Sequence, residues 1–341
     1  MGRYETLMSL RAAIFGDIML CHDWVTGERV VVKTVNLQLA LQQLSRSQML
    51  AQENVLHEVE VLNRVRAMGG HPNVINMHSY YVVEGGEVLH IVLDYCEGGD
   101  LLDACVQPPV EKICDGQSSS GICDGNQKDS AIILKAVEAH HEQRPEQDFT
   151  MDGSLLNGVD GSKRLQEHVA QRYLVDVLSG LRFLHNHGIA HRDISLENIL
   201  LRQGRAVIAD FGLCASAAPG SLLDNEFYCE ETVGKNYYMA PEIVACERYD
   251  PRRSDIWSTG IAFFILLTSS PPFERADLSD PGFRFVAKRG IKAVFTAWGM
   301  EREVSELMQD LLSRMLCVEP EKRITIEEIW QHPMLQHSRC N

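Results

Sequence analysis

The stretch His191-Arg192-Asp193-Ile194-Ser195-Leu196-Glu197-Asn198, followed shortly by Val207-Ile208-Ala209-Asp210-Phe211-Gly212, sets the reading of the whole chain. The first segment comes after a helical pattern and runs into the strand-like Ile199 to Leu201; the second is a short apolar run ending on a carboxylate. Together they offer Asp193 as a carboxylate able to take a hydroxyl proton, with Asn198 and Asp210 as hard oxygen ligands for magnesium. Upstream, Val30-Val31-Val32-Lys33 ends on a cation suited to phosphate oxygens, and Glu58, on a following helical segment, is an ion-pair partner for it. This inventory suits phosphoryl transfer.

Working outward, the pattern divides the chain. Tyr4 to Ile18 and Arg29 to Val35 are β-rich, with the turn signal Thr26-Gly27-Glu28 between them. From about Leu37 to Met68 apolar residues recur at helical intervals, as in one amphipathic helix or a pair. Strand character resumes over Val74 to Val83 and Val88 to Asp94. After Arg164 the pattern is mainly helical: Val169 to His185, Ser254 to Leu267, Val304 to Leu316 and Ile326 to Gln331. An α+β, bilobal fold is predicted, with a small β-rich lobe carrying one main helix and a larger helical lobe.

Between about 105 and 163 the composition shifts to Gly, Ser, Asp, Gln and Pro, and Ile113-Cys114-Asp115-Gly116 returns as Ile122-Cys123-Asp124-Gly125. That segment reads as a flexible surface insertion with a short helix over Ala131 to Ala139. Its cysteines, with His140 and His141 nearby, do not have structural-zinc spacing.

In their order these motifs are similar to those of the eukaryotic protein kinase family, serine/threonine type. The likeness extends through Ala240-Pro241-Glu242, through Ser254-Asp255-Ile256-Trp257-Ser258-Thr259-Gly260 and to Arg323. It implies one kinase domain over 1–341, with an N-lobe at about 4–94, a hinge at about 94–99 and a C-lobe at about 100–335. It further implies ATP and Mg2+ as cofactors and protein hydroxyls as substrate. On the same likeness Leu93 is the gatekeeper, Asp94-Tyr95-Cys96 the adenine-binding hinge, and Gly16, Ile18, Val31, Lys33 and Leu200 line the ATP site. Glu242 pairs with Arg323, Asp255 braces the backbone of His191 and Arg192, and Leu62, His191 and Phe211 stack between the lobes.

The chain departs from the family pattern in two places. The glycine-rich loop falls on Arg11-Ala12-Ala13-Ile14-Phe15-Gly16-Asp17-Ile18, where only Gly16 survives. Glycines there let backbone approach phosphates, so Arg11 and Ala13 are expected to stiffen and lift the loop. Arg11 then reads as a phosphate contact or as a solvated strand-end residue. Val31 replaces the family's usual alanine against adenine, and both changes are expected to weaken ATP binding. In the second departure, Ser195 stands where the family has its phosphate-contacting lysine, and Lys235 where it has the threonine that bonds the catalytic Asp. A reciprocal exchange is expected, Lys235 supplying the ammonium and Ser195 the hydroxyl. The competing reading leaves Lys235 in water and the chain a catalytically weak or inactive pseudokinase acting as a binding or scaffold module.

For control, Arg192 is the family's receiver of an activation-segment phosphate, and the counterpart of that phosphosite is Glu231, with Thr232 next to it as the rival. Ser221 and Tyr228 are weaker candidates. For substrate choice, Asp100 and Glu197 match acidic positions that bind arginines near the target residue, implying basic flanks.

Composition narrows the partners. The formal net charge of -15 disfavours nucleic acid and anionic membrane. The longest apolar run, Ile261 to Leu267, is far below the roughly 20 residues of a spanning helix. Met1-Gly2-Arg3-Tyr4-Glu5-Thr6 fits the short myristoylation pattern, yet one acyl chain without a polybasic neighbour anchors weakly, so no stable membrane association is expected. Ten cysteines without framework spacing fit a reducing cytoplasmic or nuclear setting. Regulation is expected through the insertion, the activation segment or a partner protein.

Overall fold

The computed structural model describes residues 2–47, 49–83, 85–106, 155–157, 163–217 and 227–337. Its N-terminal part is a five-stranded antiparallel sheet in the order β1-β2-β3-β5-β4, formed by β1 (Tyr4–Ala12), β2 (Gly16–Asp23), β3 (Arg29–Asn36), β4 (Met77–Val82) and β5 (Val88–Asp94). Two helices are inserted after β3: α1 (Leu37–Leu41) and α2 (Val55–Ala67). The long stretch read as strand over 4–18 is therefore two strands that turn at 13–15, and the second runs on to Asp23. The helical stretch over 37–68 is likewise broken. Gln43 takes a left-handed φ of 50° just past α1, and no glycine marks that stop in the sequence. Helix α2 restarts where the Asn54 side chain accepts a hydrogen bond from the His57 N–H and so caps the first turn. Residues 74–76 precede β4 rather than extend it, with Val74 bridging to Ile208.

The C-terminal part is mainly helical. Its two central helices, α4 (Glu167–Asn186) and α6 (Pro251–Thr268), follow α3 (Leu101–Val106) and the short α5 (Pro241–Val244). Pro251 is pre-set for the first helical turn, and the Asp250 carboxylate accepts from the Arg252 N–H. From Ser254 to Leu267 every residue of α6 is buried, which explains why its sequence shows no polar stripe. Around these helices lie α7 (Pro281–Arg289), α8 (Lys292–Ala297), α9 (Glu306–Met315), α10 (Ile326–Gln331) and α11 (Pro333–His337). Thr325 and Glu328 close α10 with a reciprocal capping box.

A fully buried ion pair ties α5 to the end of the domain. Arg323 donates to both Glu242 oxygens, at 2.6 and 2.9 Å, and its guanidinium lies 5.0 Å from the Trp257 ring centroid. Removing one member of such a pair costs about 3–5 kcal/mol, because the other charge is left buried and unpaired. The sheet-rich front and helical back are thus the predicted α+β arrangement. Of the predicted insertion, the described residues include the short antiparallel pair Leu155–Asn157 and Lys163–Leu165. The Cys-Asp-Gly repeats, the helix expected over Ala131 to Ala139 and Ser221 lie outside the described residues.

Candidate active site

The site lies where the sheet faces the helical part. β3 alternates its side chains, so Val31 and Lys33 share one face. From that face the Lys33 ammonium reaches Glu58 of α2 at 2.8 Å and Asp210 at 3.9 Å. Burial disfavours the lysine charge, but Glu58, Asp210 and Glu53 outweigh that effect and hold Lys33 ionised well above its ordinary range. Asp210 has a left-handed φ of 65°, uncommon for a residue with a side chain. Burial opposes its charge too, and Lys33, then Arg11 and His191, outweigh burial and lower its pKa.

The loop containing Asp193 is held from below. Asp255, fully buried on α6, accepts the backbone N–H groups of His191 and Arg192 at 2.9 and 2.7 Å and also meets His185. That geometry fixes Arg192 at a φ of 64° and aims Asp193 into the cleft. Asn198 donates to the Asp193 carbonyl at 2.9 Å and to its Oδ2 at 2.7 Å. The other oxygen, Oδ1, is buried without a hydrogen-bond partner among the described residues. A buried acceptor left open in this way is costly unless something else occupies it. Burial is the main reason the Asp193 pKa is raised, with Lys235 and His191 pulling the other way.

Lys235 and Ser195 meet on the same loop side, where the Lys235 charge acts on Asp193. The ammonium donates to Ser195 Oγ at 2.7 Å and pairs with Glu197 at 3.4 Å, while Ser195 is completely buried. Gly234 permits the approach. Its φ is 103°, and a Cβ there would stand 3.0 Å from the Arg192 carbonyl oxygen.

The sequence profile described as the protein kinase domain matches residues 132–335, more than half of the chain. The chain belongs to the protein kinase family. Similar curated proteins include a probable serine/threonine-protein kinase of Dictyostelium discoideum, 27% identical over 93% of this chain and 29% of its own length. CBL-interacting protein kinase 8 of rice (Oryza sativa subsp. japonica) is 26% identical over 96% of the chain and 56% of its own length. The human SNF-related serine/threonine-protein kinase is 25% identical over 98% and 34%. The chain spans little more than half, or less, of the length of each of these kinases.

Most residues singled out from the sequence come together in this kinase domain. His191 and Phe211 pack at 5.0 Å, both fully buried, and Leu62 is buried in the same core. Leu93 and Val31 are direct partners on β5 and β3, and Ile18 lies opposite Lys33 on β2. Leu200 is half-buried and bridges to Asp100 below the hinge. Cys96 is buried, and the Asp94 side chain bonds Arg202 at 2.6 Å and His78 at 2.8 Å, outside the cleft. Gly16 has a packing reason of its own: a Cβ there would stand 1.8 Å from the Thr34 carbonyl oxygen.

The expected lifting of the glycine-loop counterpart is not what the structure has. Phe15 is buried in the main core, the Ile14 carbonyl accepts from the Arg46 N–H, and Arg46 pairs with Asp17 at 2.5 Å. The apolar tip side chain anchors the turn, so bulk at 11 and 13 does not raise it. The two carboxylates read as acceptors of substrate arginines are engaged within the chain. Glu197 meets Lys235, and Asp100 is buried with its Oδ1 accepting the Asp103 N–H.

In the activation segment Arg192 donates to Glu231 at 3.0 Å and to the Leu213 carbonyl at 2.7 Å. Glu231's own backbone N–H, and then Arg192, hold its carboxyl below the usual range despite some desolvation. Thr232 points elsewhere, its hydroxyl 3.5 Å from Cys246 Sγ.

Two contributors had no sequence signal. Glu53 lies against Gly212, where an added Cβ would be 3.0 Å from its Cγ, and burial together with the Asp210 charge pushes it up to about 7. Gln52 donates to the Thr232 carbonyl at 3.1 Å, and the Asn54 N–H to the Gly212 carbonyl at 2.8 Å, so the residues leading into α2 are tied to the activation segment at two points. Among the described residues no three His, Cys, Asp or Glu side chains converge as a metal cage. Asn198 and Asp210 fit instead the sparse protein ligation magnesium takes when phosphates supply the remaining oxygens.

Proposed function

We propose that this chain is an ATP- and magnesium-dependent protein serine/threonine kinase in which Ser195 and Lys235 have exchanged the family's usual roles. The observation that carries this reading is the 2.7 Å Lys235–Ser195 hydrogen bond, formed on the loop of Asp193, whose Oδ1 has no hydrogen-bond partner among the described residues. A substrate hydroxyl donating to that oxygen passes its proton to Asp193 as its oxygen bonds the γ-phosphorus, while the bond from that phosphorus to the β–γ bridging oxygen breaks and ADP leaves with the electron pair. Lys33, oriented by Glu58, and Lys235 neutralise the phosphate oxygens from two sides, which is the main electrostatic requirement of the step. Asn198 and Asp210 would hold magnesium, which when bound supplies charge neutralisation at the phosphates. Leu93, Asp94, Cys96, Val31, Ile18 and Leu200 are the proposed frame of the adenine site.

The basic-flank preference loses support, because Lys235 meets Glu197 where a substrate arginine would bind. The rival reading, a non-catalytic binding module, rests on the replaced glycines at Arg11 and Ala13. A transfer assay separates the two. Radiolabelled ATP with magnesium should label serine or threonine in a generic protein substrate, and chelation of the metal should abolish the label. Phosphotyrosine alone, or no label at saturating ATP from folded protein, would contradict the proposal.

The Arg192–Glu231 contact also fits a segment ordered without phosphorylation. Phosphatase treatment should leave turnover unchanged, whereas Glu231→Ala should lower it several-fold. Loss of activity with phosphatase, together with phosphate found on Thr232, would assign that switch to Thr232 instead.

A further inference from the structure

We infer that Arg11 is a phosphate-binding residue of this kinase, replacing the backbone amides that a glycine-rich loop would present; the inference rests on the nucleotide use proposed above. Donors at both ends of the turn are occupied within the sheet. The Ala13 N–H bonds the Gly16 carbonyl at 2.8 Å and the Gly16 N–H bonds the Ala13 carbonyl at 3.4 Å, closing a tight turn on Ile14 and Phe15. The Asp17 N–H bonds the Thr34 hydroxyl at 3.0 Å. With Phe15 buried and Arg46 gripping Asp17 and Ile14, the turn has little freedom to open and turn these amides toward a ligand.

The strand register points Arg11 the right way. Arg11 pairs directly with Ile18, and Ile18 directly with Lys33. Directly opposed residues of an antiparallel sheet project on the same face. Arg11, Ile18 and Lys33 therefore form one row across three strands, on the face from which Lys33 reaches Asp210. Adjacent strands lie about 4.8 Å apart, so the row places Arg11 about 10 Å from Lys33 along the roof of the cleft. Arg11 is exposed, free to swing onto an arriving anion. A guanidinium presents several donors in a fork matched to phosphate oxygens.

The test measures binding, not turnover, with ATP and adenosine as probes in magnesium buffer. Arg11→Gly removes the guanidinium and restores the residue a glycine-rich loop would have, so the two accounts of position 11 predict opposite signs. Loss of a charge-assisted contact should weaken ATP about tenfold and leave adenosine unchanged. Arg11→Lys, which keeps a charge, should fall in between. If Arg11→Gly binds ATP as tightly as wild type, or more tightly, Arg11 is not a phosphate ligand. Wild type that binds adenosine but gains nothing from the phosphates would also overturn the inference while leaving the adenine site standing. Failure to bind either probe would remove the nucleotide reading itself, and Arg11's role with it.

Discussion

Asp193→Asn should lower kcat by about 10³, within the usual range for removing a general base, and leave the KM for ATP nearly unchanged. The substitution keeps the shape of the side chain and removes the proton acceptor. Oδ1 is the atom at issue, since Oδ2 is already held by Asn198 at 2.7 Å. The scaffold should tolerate the change, because the loop is positioned by Asp255 through the amides of His191 and Arg192 rather than by Asp193 itself. Kinetics on folded, ATP-binding mutant protein make the check. A kcat within a few-fold of wild type would mean that another group accepts the proton.

Lys235→Ala should cost a factor of about 10² to 10³ in kcat, the scale of removing one preorganised donor from a developing charge. Lys33, the other lysine described at the site, does not replace it, because it is committed to Glu58 and Asp210. Ser195→Ala should also lower turnover, by less, because the ammonium survives but loses its 2.7 Å anchor and can drift toward Glu197. An effect on KM for ATP alone, with kcat intact, would place Lys235 in ground-state binding and not at the transferred phosphate.

The sequence disclosed the catalytic parts that sit within short segments of fixed spacing. Asp193 and Asn198 lie on one loop, and Asp210 follows the short strand Arg205–Ile208, so their order carries their geometry. The Lys33–Glu58 and Glu242–Arg323 pairs are long-range, and they were readable only because the family pattern fixes both members. Ser195 and Lys235 were legible as a pair for the same reason: each is anomalous alone and the two positions meet. What escaped depends on tertiary contact with no local pattern. The break after α1 turns on a left-handed Gln43, a conformation that glycine usually announces. Glu53 and Gln52 precede α2 without a motif and acquire meaning only from packing against Gly212 and Thr232. The turn at 13–15 is tied down by the burial of Phe15, a tertiary contact that the missing glycines do not announce. The reach of Lys235 toward Glu197, which takes that carboxylate from a substrate arginine, is not written in either local segment.

The most direct test of the exchanged pair is to reverse it, measuring kcat for Lys235→Thr, Ser195→Lys and the double variant with one generic protein substrate and saturating MgATP. The account predicts a loss of about 10² or more for Lys235→Thr and recovery of the double variant to within about tenfold of wild type, a strong coupling between neighbouring sites. Full turnover in Lys235→Thr alone, or a double variant no better than that single one, would contradict it.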